Sequence, residues 1–444
     1  MIDKAELKKA VCAAIDEHQQ AIIEIGETIL RNPETGFKEF ETARLVAGHF
    51  EKIGLRPETG LAITGVKGRL EGKESGPVMA LIGELDALKV ANHPFAHVET
   101  HAAHACGHNA QIAGLIGSAL GLSLSGAMES LSGTVVFFAV PAEESIEVDY
   151  RLGLREEKKL EFTQGKAELI RLGHFDDIDM AMMIHTKNID GCATQVFDSS
   201  NGSVIKRIRF IGKEAHAGAK PQAGRNALNA ATLALSAIHF QRETFYDEDT
   251  VRIHPIITKG GDAVNVVPAE VTIETYVRGK NIEAILDANA KVDRALRAGA
   301  MAIGVEVEIQ TIPGPMPVKG NKAMTAGYGE NAEILFGPNQ IQVGGHVSGS
   351  TDMGDVCHIM PAIHPFLRGV RGDGHTTEHA ISDPYEAYVA PAKLMAMTAV
   401  DMLVDGAGAA RKIIAEHKPA LTKDAYLSYK RELFNSQHYR PENP

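Results

Sequence analysis

The hydrophobic and polar positions of the chain predict two regions of different architecture. Residues 4–32 place apolar side chains near helical spacing up to the break at "RNPETG", and this pattern predicts an amphipathic helix. The segment "FETARLVAGHFEKIGL" predicts a second helix that ends at a glycine. Buried strands with nearly unbroken hydrophobicity, separated by helices, are typical of a mostly parallel α/β sheet flanked by helices. Apolar runs that alternate with helical segments in this way are "VMALIGELDAL", "IAGLIGSALGL", "GTVVFFAVPAEES" and "IDMAMMIHT".

From about residue 199 the pattern changes. The segments "SVIKRIRFIG" and "AEVTIETYVRG" alternate apolar and polar positions, as half-exposed antiparallel strands do, and two helical segments and the strand "VEVEIQTI" accompany them. The run "PGPMPVKGN" predicts a hinge, after which helical segments of the first architecture return. We therefore expect a small α+β domain at residues 199–315, inserted into a larger domain formed by residues 1–198 and 316–444.

Composition and charge narrow the class of protein. At 444 residues the chain is longer than one hydrophobic core usually serves, which agrees with two domains. A formal net charge of −12 without a basic block argues against a nucleic-acid partner and favours a small-molecule substrate. The sequence predicts no targeting peptide and no membrane span. Its four cysteines show no disulfide-framework spacing, so we expect a cytoplasmic protein.

The stretch "HACGHNA" concentrates side chains that bind metals. Cys106 and His108 are good zinc ligands, and Gly107 between them allows a turn in which both face one centre. The alternative is an alanine-rich loop that contains a buried cysteine and hydrogen-bonded histidines. A lone Cys-x-His pair favours that alternative, so a metal site needs partners from elsewhere in the chain.

Three other predicted strands end in side chains that can complete a metal site. Asp86 ends one strand, the adjacent carboxylates Glu143 and Glu144 end another, and His185 ends a third. Ligands bind at the carboxyl ends of the strands in an open α/β sheet, so these groups are expected to converge. One of two adjacent glutamates can bind a metal while the other acts as a general base. Alternatively, both are solvated loop residues.

A second histidine-rich stretch follows residue 345 and is also rich in glycine, as loops of enzyme sites often are. Spacing alone does not choose a ligand among its five histidines. They are His346, His358, His364, His375 and His379.

Seven motifs together resemble one family. In order, the motifs are "GELDAL", "HACGHNAQIAGLIGSA", "VPAEES", "IHT", "GKEAHAGAKPQAGRNALNAA", "GGDAVNVVPAEVTIETYVRG" and "GSTDMGDV". They resemble the metal-dependent amidohydrolases related to aminoacylase and carboxypeptidase G, in the branch of auxin-conjugate hydrolases, aminobenzoyl-glutamate hydrolases and related dipeptidases. The resemblance implies a catalytic domain that binds two metal ions and an inserted, ferredoxin-like dimerisation and lid domain.

The resemblance also implies roles for individual residues. Glu143 is the general base, and Asp86 lies behind a metal-binding histidine and fixes its orientation. His375 is preferred to His379 as the last ligand, although His379 stands where the family usually has an aromatic residue. The implied ligands of the two ions, bridged by the cysteine, are Cys106, His108, Glu144, His185 and His375.

Three residues of the inserted domain match family positions. His216 of "KEAHAG" resembles a histidine that reaches across a dimer interface, and Asn265 and Arg278 match residues that contact the substrate. Without the resemblance, the sequence is equally consistent with His216 being a surface histidine in a turn. An edge strand that pairs with its twin would account for a homodimer.

The implied function is a di-metal amidohydrolase. It hydrolyses the amide bond of an N-acyl or N-aroyl amino acid by means of a metal-held hydroxide and Glu143, with zinc or manganese, or with cobalt. The alternatives are a dipeptidase and a catalytically silent metal-binding homologue. The segment 145–170, with its charged centre "REEKKLEF", either contributes to substrate specificity or is a tolerated surface loop. His101 and His104 are loop residues near the site mouth or substrate contacts.

Overall fold

A computed structural model describes residues 3–441 of the protein. They form two compact units: a large unit of residues up to 198 with 319–345 and 355–422, and a small unit of residues 199–318 with 346–354 and the chain from 423 onward. The small unit contains the expected insert. It also contains the stretches beginning at 346 and 423, which the sequence-based boundaries placed in the larger domain. The outermost positions of those boundaries, 1–2 and 442–444, lie outside the described residues.

The described residues form thirteen α-helices, numbered in chain order. They are α1 (Lys4–Glu17), α2 (Gln19–Arg31), α3 (Phe40–Lys52), α4 (His108–Leu124), α5 (Val148–Glu156), α6 (Gly165–Arg171), α7 (Ala227–Phe240), α8 (Ile282–Ile303), α9 (Lys322–Phe336), α10 (Met353–Ile359), α11 (Ala390–Leu403), α12 (Gly408–Glu416) and α13 (Lys423–Leu433).

The strands are numbered in the same way. They are β1 (Glu58–Leu61), β2 (Gly65–Glu71), β3 (Glu74–Glu84), β4 (Leu88–Lys89), β5 (Ala102–Ala103), β6 (Ser132–Val140), β7 (Met180–Met183), β8 (His185–Thr186), β9 (Thr194–Val196), β10 (Ser199–Ser200), β11 (Gly202–Ile211), β12 (Arg252–Ile253), β13 (Ile256–Lys259), β14 (Glu270–Gly279), β15 (Glu306–Pro313), β16 (Ile341–Val343), β17 (His346–Val347), β18 (Ala362–Ile363), β19 (Phe366–Leu367), β20 (Val370–Arg371), β21 (Ala380–Ile381) and β22 (Asn435–Tyr439).

The main sheet of the large unit has the strand order β1-β2-β6-β3-β7-β18. The strands from β6 to β18 are parallel, and β1 and β2 add an antiparallel edge. In the centre, Leu81 of β3 lies between Phe137 of β6 and Met182 of β7, and all three side chains are fully buried. Helices flank this sheet, so the predicted mostly parallel α/β architecture is confirmed.

Two predictions of secondary structure need correction. The helix predicted for residues 4–32 is two helices, because His18 between α1 and α2 is not helical and its ring Nδ1 bonds the carbonyl oxygen of Ala14. The apolar run "IAGLIGSALGL" is not a strand but lies within α4. That helix is buried on nearly all sides because it packs against β3, α1, α2 and α11, which explains its lack of a polar face.

The parallel strands bring the predicted ligand segments to one edge of the sheet. Glu84 at the end of β3 pairs in register with Val140 at the end of β6. The residues that follow each strand, up to Asp86 and Glu144, therefore leave the sheet side by side. His185 begins β8, which lies in a smaller sheet of order β16-β9-β19-β8.

The small unit is built on an antiparallel sheet of order β12-β14-β11-β15-β22, with β13 paired to β14 beside β12. Helices α7 and α8 pack on the face that carries Val204, Ile208 and Phe210. Asn226 and Asn281 cap these helices by accepting backbone N–H groups. The predicted α+β arrangement is confirmed, but β22 joins it from the end of the chain, because its backbone pairs with β15.

The described part of the chain has no single helix with the length and apolar character of a membrane span. The bent pair Tyr385–Leu403 and Asp405–Glu416, with an angle of 67° between its helices, passes that test by length and composition only.

Candidate metal centre

The turn before α4 positions two of the predicted ligands. Gly107 is left-handed (φ +84°) and caps α4, so Cys106 lies in the turn and His108 is the first residue of the helix. The prediction that His108 lies in a turn is therefore wrong. A Cβ atom on residue 107 would lie 2.1 Å from Oγ1 of Thr186, beside His185, so the close approach of these segments requires glycine.

Cys106, His108 and His185 form a first cluster of ligand atoms. Sγ of Cys106 lies 3.4 Å from Nε2 of His185, and the ligand atoms of the three side chains lie within 4.8 Å of one another. Nδ1 of His108 donates to the main-chain oxygen of Asp86 at 2.7 Å. Nδ1 of His185 donates to the main-chain oxygen of Thr186 at 2.6 Å. These bonds assign the proton to Nδ1 of each ring and leave the Nε2 lone pair for a metal ion.

Cys106, Glu144 and His375 form a second cluster, which shares its cysteine with the first. Nε2 of His375 lies 3.1 Å from Oε1 of Glu144, and the three ligand atoms lie within 4.8 Å of one another. His375 has a left-handed φ of +66°, and its backbone N–H donates to the carbonyl oxygen of Ala105 at 2.7 Å. The loop that carries His375 is thus bound to the residue before Cys106.

The charges of the two clusters are coupled. Burial and the Glu144 carboxylate raise the pKa of the Cys106 thiol. The imidazoles of His185 and His108 outweigh both and lower this pKa to about 5, so the sulfur is a thiolate at neutral pH. The attraction of Glu144 raises the pKa of His375 to about 12. Burial raises the pKa of Glu144, but His375 brings it down to about 2.

The donor set fits two divalent metal ions. Nε2 of His108 and Oε1 of Glu144 are buried, and neither makes a hydrogen bond of good geometry. The nearest polar atoms, Oε2 of Glu84 and Nε2 of His375, each lie 3.1 Å away and can themselves bind a metal ion. A cation would satisfy both atoms. Thiolate, imidazole and carboxylate are the ligands that zinc and similar ions take from proteins. A cysteine common to two sets of ligands is suited to bridging two ions.

Asp86 and Glu143 lie beside the two clusters. Oδ1 of the buried Asp86 lies 3.3 Å from Nδ1 of His108, and its Oδ2 accepts the backbone N–H of Glu144 at 2.9 Å. Glu143 is half-buried, and its carboxylate forms a third group of neighbouring ligand atoms with Glu84 and His108. The structure thus brings Glu143 close to the ligands while Glu144 joins them.

Glu84 is a buried carboxylate that the sequence-based prediction missed. Its Oε1 accepts from Nζ of Lys166 at 2.5 Å, and its Oε2 accepts from Nε2 of Gln111 at 2.8 Å. Burial raises the pKa of Glu84, but Lys166 and His108 hold it well below the usual range. Glu84 ends β3 two positions before Asp86, so the strand-end signal that identified Asp86 was also present there.

The histidines of the second stretch have separate places. His379 is 4% exposed and joins neither ligand cluster, and burial lowers its pKa to about 4. His364 packs edge-on against His185 with ring centroids 5.8 Å apart. His358 lies on α10 and His346 in β17 of the small unit. His375 is therefore the histidine of this stretch that the structure brings to the clusters.

His101 and His104 differ in exposure. His101 is exposed. His104 is only 2% exposed, both of its ring nitrogens are buried without a hydrogen-bond partner, and burial lowers its pKa to about 3. The expected place of His104 at an open site mouth does not hold, because the ring is enclosed by the protein.

The small unit carries the remaining predicted residues. His216 is exposed, and its Nδ1 accepts the backbone N–H groups of Gly218 (3.2 Å) and Ala219 (3.1 Å), which assigns the ring proton to Nε2. Asn265 is also exposed, and its carbonyl oxygen accepts the N–H of the residue after His216. Arg278 lies on β14 and donates from Nη1 to Oγ of Ser350 at 3.3 Å. Within this unit the structure therefore places His216 beside Asn265.

The segment 145–170 is only partly a surface loop. Residues 156–159, in the middle of "REEKKLEF", are exposed. On either side, α5 and α6 contribute buried residues, among them Arg151 and Lys166. The interpretation as a tolerated surface loop applies to the exposed centre alone.

Comparison with known proteins places this geometry among related hydrolases. Residues 199–302 match a family described as a peptidase dimerisation domain. The chain is 29% identical to the Xaa-Arg dipeptidase of Mus musculus over 97% of this chain and 94% of that protein. It is 29% identical to one of the subunits of the p-aminobenzoyl-glutamate hydrolase of Escherichia coli over 65% of this chain and 57% of that protein. A dinuclear metal-binding peptidase of the M20 family from Bacillus subtilis has a similar fold, with 22% identity, a TM-score of 0.63, and coverage of 87% of this chain and 99% of that one.

Proposed function

Because this chain is a member of the M20 family of metal-dependent hydrolases, which act on amide bonds, we propose that it hydrolyses the amide bond of an N-acyl or N-aroyl amino acid with two divalent metal ions. The observation that carries this proposal is the pair of ligand clusters that share Cys106. A relative that acts on aminobenzoyl-glutamate supports the substrate class.

One ion would be held by Cys106, His108 and His185, and the other by Cys106, Glu144 and His375. This donor set accepts zinc, manganese or cobalt, and zinc or manganese is the proposed native metal. When bound, such a pair of ions polarises an amide carbonyl and lowers the pKa of a water molecule toward neutrality. The chain itself must supply the proton transfers.

Glu143 is the proposed general base. Its carboxylate lies near His108 and Glu84 and outside the two clusters that share Cys106. A carboxylate beside the metal ligands is suited to accept a proton. Glu143 takes a proton from the attacking water and returns it to the nitrogen of the departing amino acid. Asp86 keeps His108 in the required tautomer, because its carbonyl oxygen accepts the Nδ1 proton.

The proposed roles of the small unit are substrate contact and dimerisation. His216 offers an Nε2–H donor that suits a developing oxyanion, and Asn265 lies in the adjacent loop. Arg278 is suited to a substrate carboxylate, since a guanidinium binds carboxylates through paired hydrogen bonds. Strand β13 lies at the edge of its sheet, with Ile256 60% and Ile257 41% exposed, and is the proposed dimer contact.

We propose a homodimer located in the cytoplasm. The match of the small unit to a peptidase dimerisation domain supports the dimer. The four cysteines are all unpaired thiols, which suits a reducing compartment.

A dipeptidase is the second candidate function. The similarity to the Xaa-Arg dipeptidase covers 97% of this chain, whereas that to the aminobenzoyl-glutamate hydrolase covers 65%. Both reactions use the same metal-assisted attack on an amide carbonyl. They differ in the acyl group on the carbonyl side of the amide, which carries a free amino terminus in a dipeptide.

A substrate panel on metal-defined protein distinguishes the candidates. The protein is stripped with a chelator, refilled with zinc, manganese or cobalt alone, and assayed on N-acyl amino acids, aminobenzoyl-glutamate and dipeptides, including dipeptides that end in arginine. Turnover confined to the dipeptides would favour the second candidate. An absence of turnover across the panel with every metal would support a silent homologue and remove the enzymatic proposal.

The panel needs one variant and one control. Glu143→Gln should retain fold and metal but lose hydrolysis, because an amide cannot accept the proton. Glu156→Gln, at an exposed glutamate on α5, should behave as the parent protein.

A further inference from the structure

Arg151 is a fully enclosed arginine in the segment that follows the two glutamates. It lies on α5 and is 2% exposed. Buried arginines normally face a carboxylate. The guanidinium of Arg151 instead contacts main-chain oxygens and an aromatic ring.

Two of its contacts flank Glu143 on both sides. Nη1 donates to the carbonyl oxygen of Ala142 at 3.3 Å, and Nη2 donates to the carbonyl oxygen of Glu144. A third bond, from Nη1 to the carbonyl oxygen of Thr163 at 2.7 Å, anchors the guanidinium itself. One planar, multiply donating group therefore fixes the peptide unit before Glu143 and the peptide unit after Glu144.

The same turn is held from the other side by Glu39. The backbone N–H of Ala142 donates to Oε1 of Glu39 at 2.8 Å, and Oγ1 of Thr64 donates to Oε2 of Glu39 at 2.7 Å. Ala142 has a left-handed φ of +54°, which alanine adopts only where its surroundings hold it. The conformation of the turn is thus imposed by its neighbours.

The space for the guanidinium is shaped by two residues of one loop. A Cβ atom on Gly36 would lie 2.4 Å from Nη2 of Arg151 and 2.9 Å from Cα of Ala142. The guanidinium carbon lies 5.4 Å from the ring centroid of Phe37, in cation–π geometry. A side chain on residue 36 would therefore clash both with the guanidinium of Arg151 and with Ala142 of the turn.

We propose that Arg151 is a positioning residue that holds the 142–144 turn, so that Glu143 reaches the attacking water and Glu144 reaches its metal ion. This inference rests on the proposed function and gives the segment 145–170 a catalytic purpose. The two metal sites should depend on Arg151 to different extents. Glu144 belongs only to the cluster with His375, whereas the ligands of the other cluster lie on segments that Arg151 does not contact.

The test is a zinc titration of Arg151→Ala and Arg151→Lys in the full-length protein, with a competing chelator. One of the two sites should weaken about 10- to 100-fold, the usual effect of losing a partner that orients a ligand, while the other keeps its affinity. With the best substrate of the panel, kcat should fall about 100-fold, because small misplacements of reacting groups have effects of that size, and KM should change less. Guanidinium ion at low millimolar concentration should restore part of the kcat of Arg151→Ala.

Arg155→Ala is the matched control. Arg155 lies one turn further along α5 and donates from Nε to the carbonyl oxygen of Glu161 at 2.9 Å, away from the 142–144 turn. This variant should bind two zinc ions with unchanged affinity and should not respond to guanidinium. Arg151→Lys, which keeps the positive charge but cannot hold both carbonyl oxygens with one planar group, should reproduce the selective loss of one site and serves if Arg151→Ala does not fold.

Three results would overturn the proposal: equal weakening of both zinc sites together with a lower melting temperature, unchanged binding and kcat, or equal rescue of the Arg155→Ala control. The zinc titration needs no substrate. A wild-type protein that binds two zinc ions but hydrolyses nothing would therefore remove the proposed function and still leave the positioning role of Arg151 measurable.

Discussion

Asp86 orients Glu144 through its backbone: Oδ2 of Asp86 accepts the N–H of Glu144 at 2.9 Å. The main-chain carbonyl of Asp86 accepts the Nδ1 proton of His108 at 2.7 Å. Glu144 and His108 belong to different ligand clusters. A single buried residue that belongs to neither cluster therefore orients one ligand of each.

Replacing Asp86 by alanine is expected to weaken both metal sites. Loss of an orienting partner typically reduces metal affinity about 10- to 100-fold. The substitution keeps the main-chain carbonyl that accepts from His108, but it removes a carboxylate whose Oδ1 lies 3.3 Å from Nδ1 of His108 and whose Oδ2 accepts the N–H of Glu144. Zinc titration with a competing chelator measures the two affinities. Asp179→Ala is the control, because Asp179 also accepts a backbone N–H, that of Val78 at 2.8 Å, and joins no ligand cluster. A loss confined to one zinc ion in Asp86→Ala would contradict the double role.

Gly107→Ala should disrupt both stability and metal binding. A left-handed alanine costs about 1–2 kcal/mol, and the clash of its Cβ atom with Thr186 should add about 1–3 kcal/mol. Gly126→Ala is a matched control, because Gly126 is also left-handed (φ +73°) and a Cβ atom there would meet nothing within 4 Å. Urea unfolding of the metal-free proteins should show the difference, and only Gly107→Ala should reduce zinc affinity. Equal destabilisation of the two variants would mean that Thr186 moves aside freely.

Metal binding should release protons, and its affinity should rise with pH. The pKa of His375 is raised to about 12 by Glu144, so at neutral pH a metal ion must displace a proton from this ring. At pH values below that pKa, each increase of one pH unit should raise the apparent metal affinity of the site about tenfold for each proton displaced. Calorimetric zinc titrations in buffers with different ionisation enthalpies count the released protons. A binding enthalpy that is the same in all buffers would contradict this prediction.

The architecture could be predicted for strands whose burial determines the pattern of apolar residues along their whole length. β3 and β6 are nearly continuous apolar runs because both faces are covered, and β11 and β14 alternate because one face of their sheet is less buried. β22 was not predicted, because it is a polar edge strand, "NSQHY", that is held to β15 by backbone hydrogen bonds. Backbone hydrogen bonds do not depend on side-chain identity, so the pattern of apolar and polar residues does not predict this pairing.

The ligands could be predicted for a different reason. The carboxyl ends of parallel strands lie at one edge of the sheet. Glu144 and the other residues at strand ends were therefore candidate metal ligands by position and by side-chain chemistry. Glu39, Arg151 and Lys166 were not found, since each acts through a hydrogen bond to a turn or carboxylate that is distant along the chain or has no motif of its own. Glu39 and Arg151 hold the 142–144 turn and Lys166 holds Glu84, and these contacts exist only in the folded chain.

Protonation of His104 should destabilise the fold in acid. Burial lowers its pKa to about 3, whereas an unfolded histidine titrates near 6.5. Between these values the unfolded chain binds more protons, so the stability that is present above pH 6.5 is lost as the pH falls. At pH 5 the loss should reach about 2 kcal/mol. Urea unfolding of metal-free protein at pH 5 and pH 8 measures it.

His104→Leu should show a smaller loss of stability between pH 8 and pH 5, because leucine binds no proton. The substitution breaks no hydrogen bond of the ring, since neither ring nitrogen of His104 has a hydrogen-bond partner. His97→Leu, at an exposed histidine of the same loop, should retain the parental pH dependence. If His104→Leu and the parent lose the same free energy of unfolding on acidification, another group is responsible.

A subunit-mixing experiment tests whether His216 acts across the proposed dimer. His216→Ala and Glu143→Gln are each expected to be inactive, so the two homodimers alone should give no turnover. If His216 serves the partner's site, each mixed dimer combines an intact Glu143 with an intact His216 in one of its two sites. Random exchange of equal amounts makes half of the dimers mixed, so about a quarter of wild-type activity should return. If His216 serves the site of its own chain, no site is complete and mixing restores no activity. Mixing His216→Ala with the double variant His216→Ala/Glu143→Gln is the control, and it should restore no activity in either case.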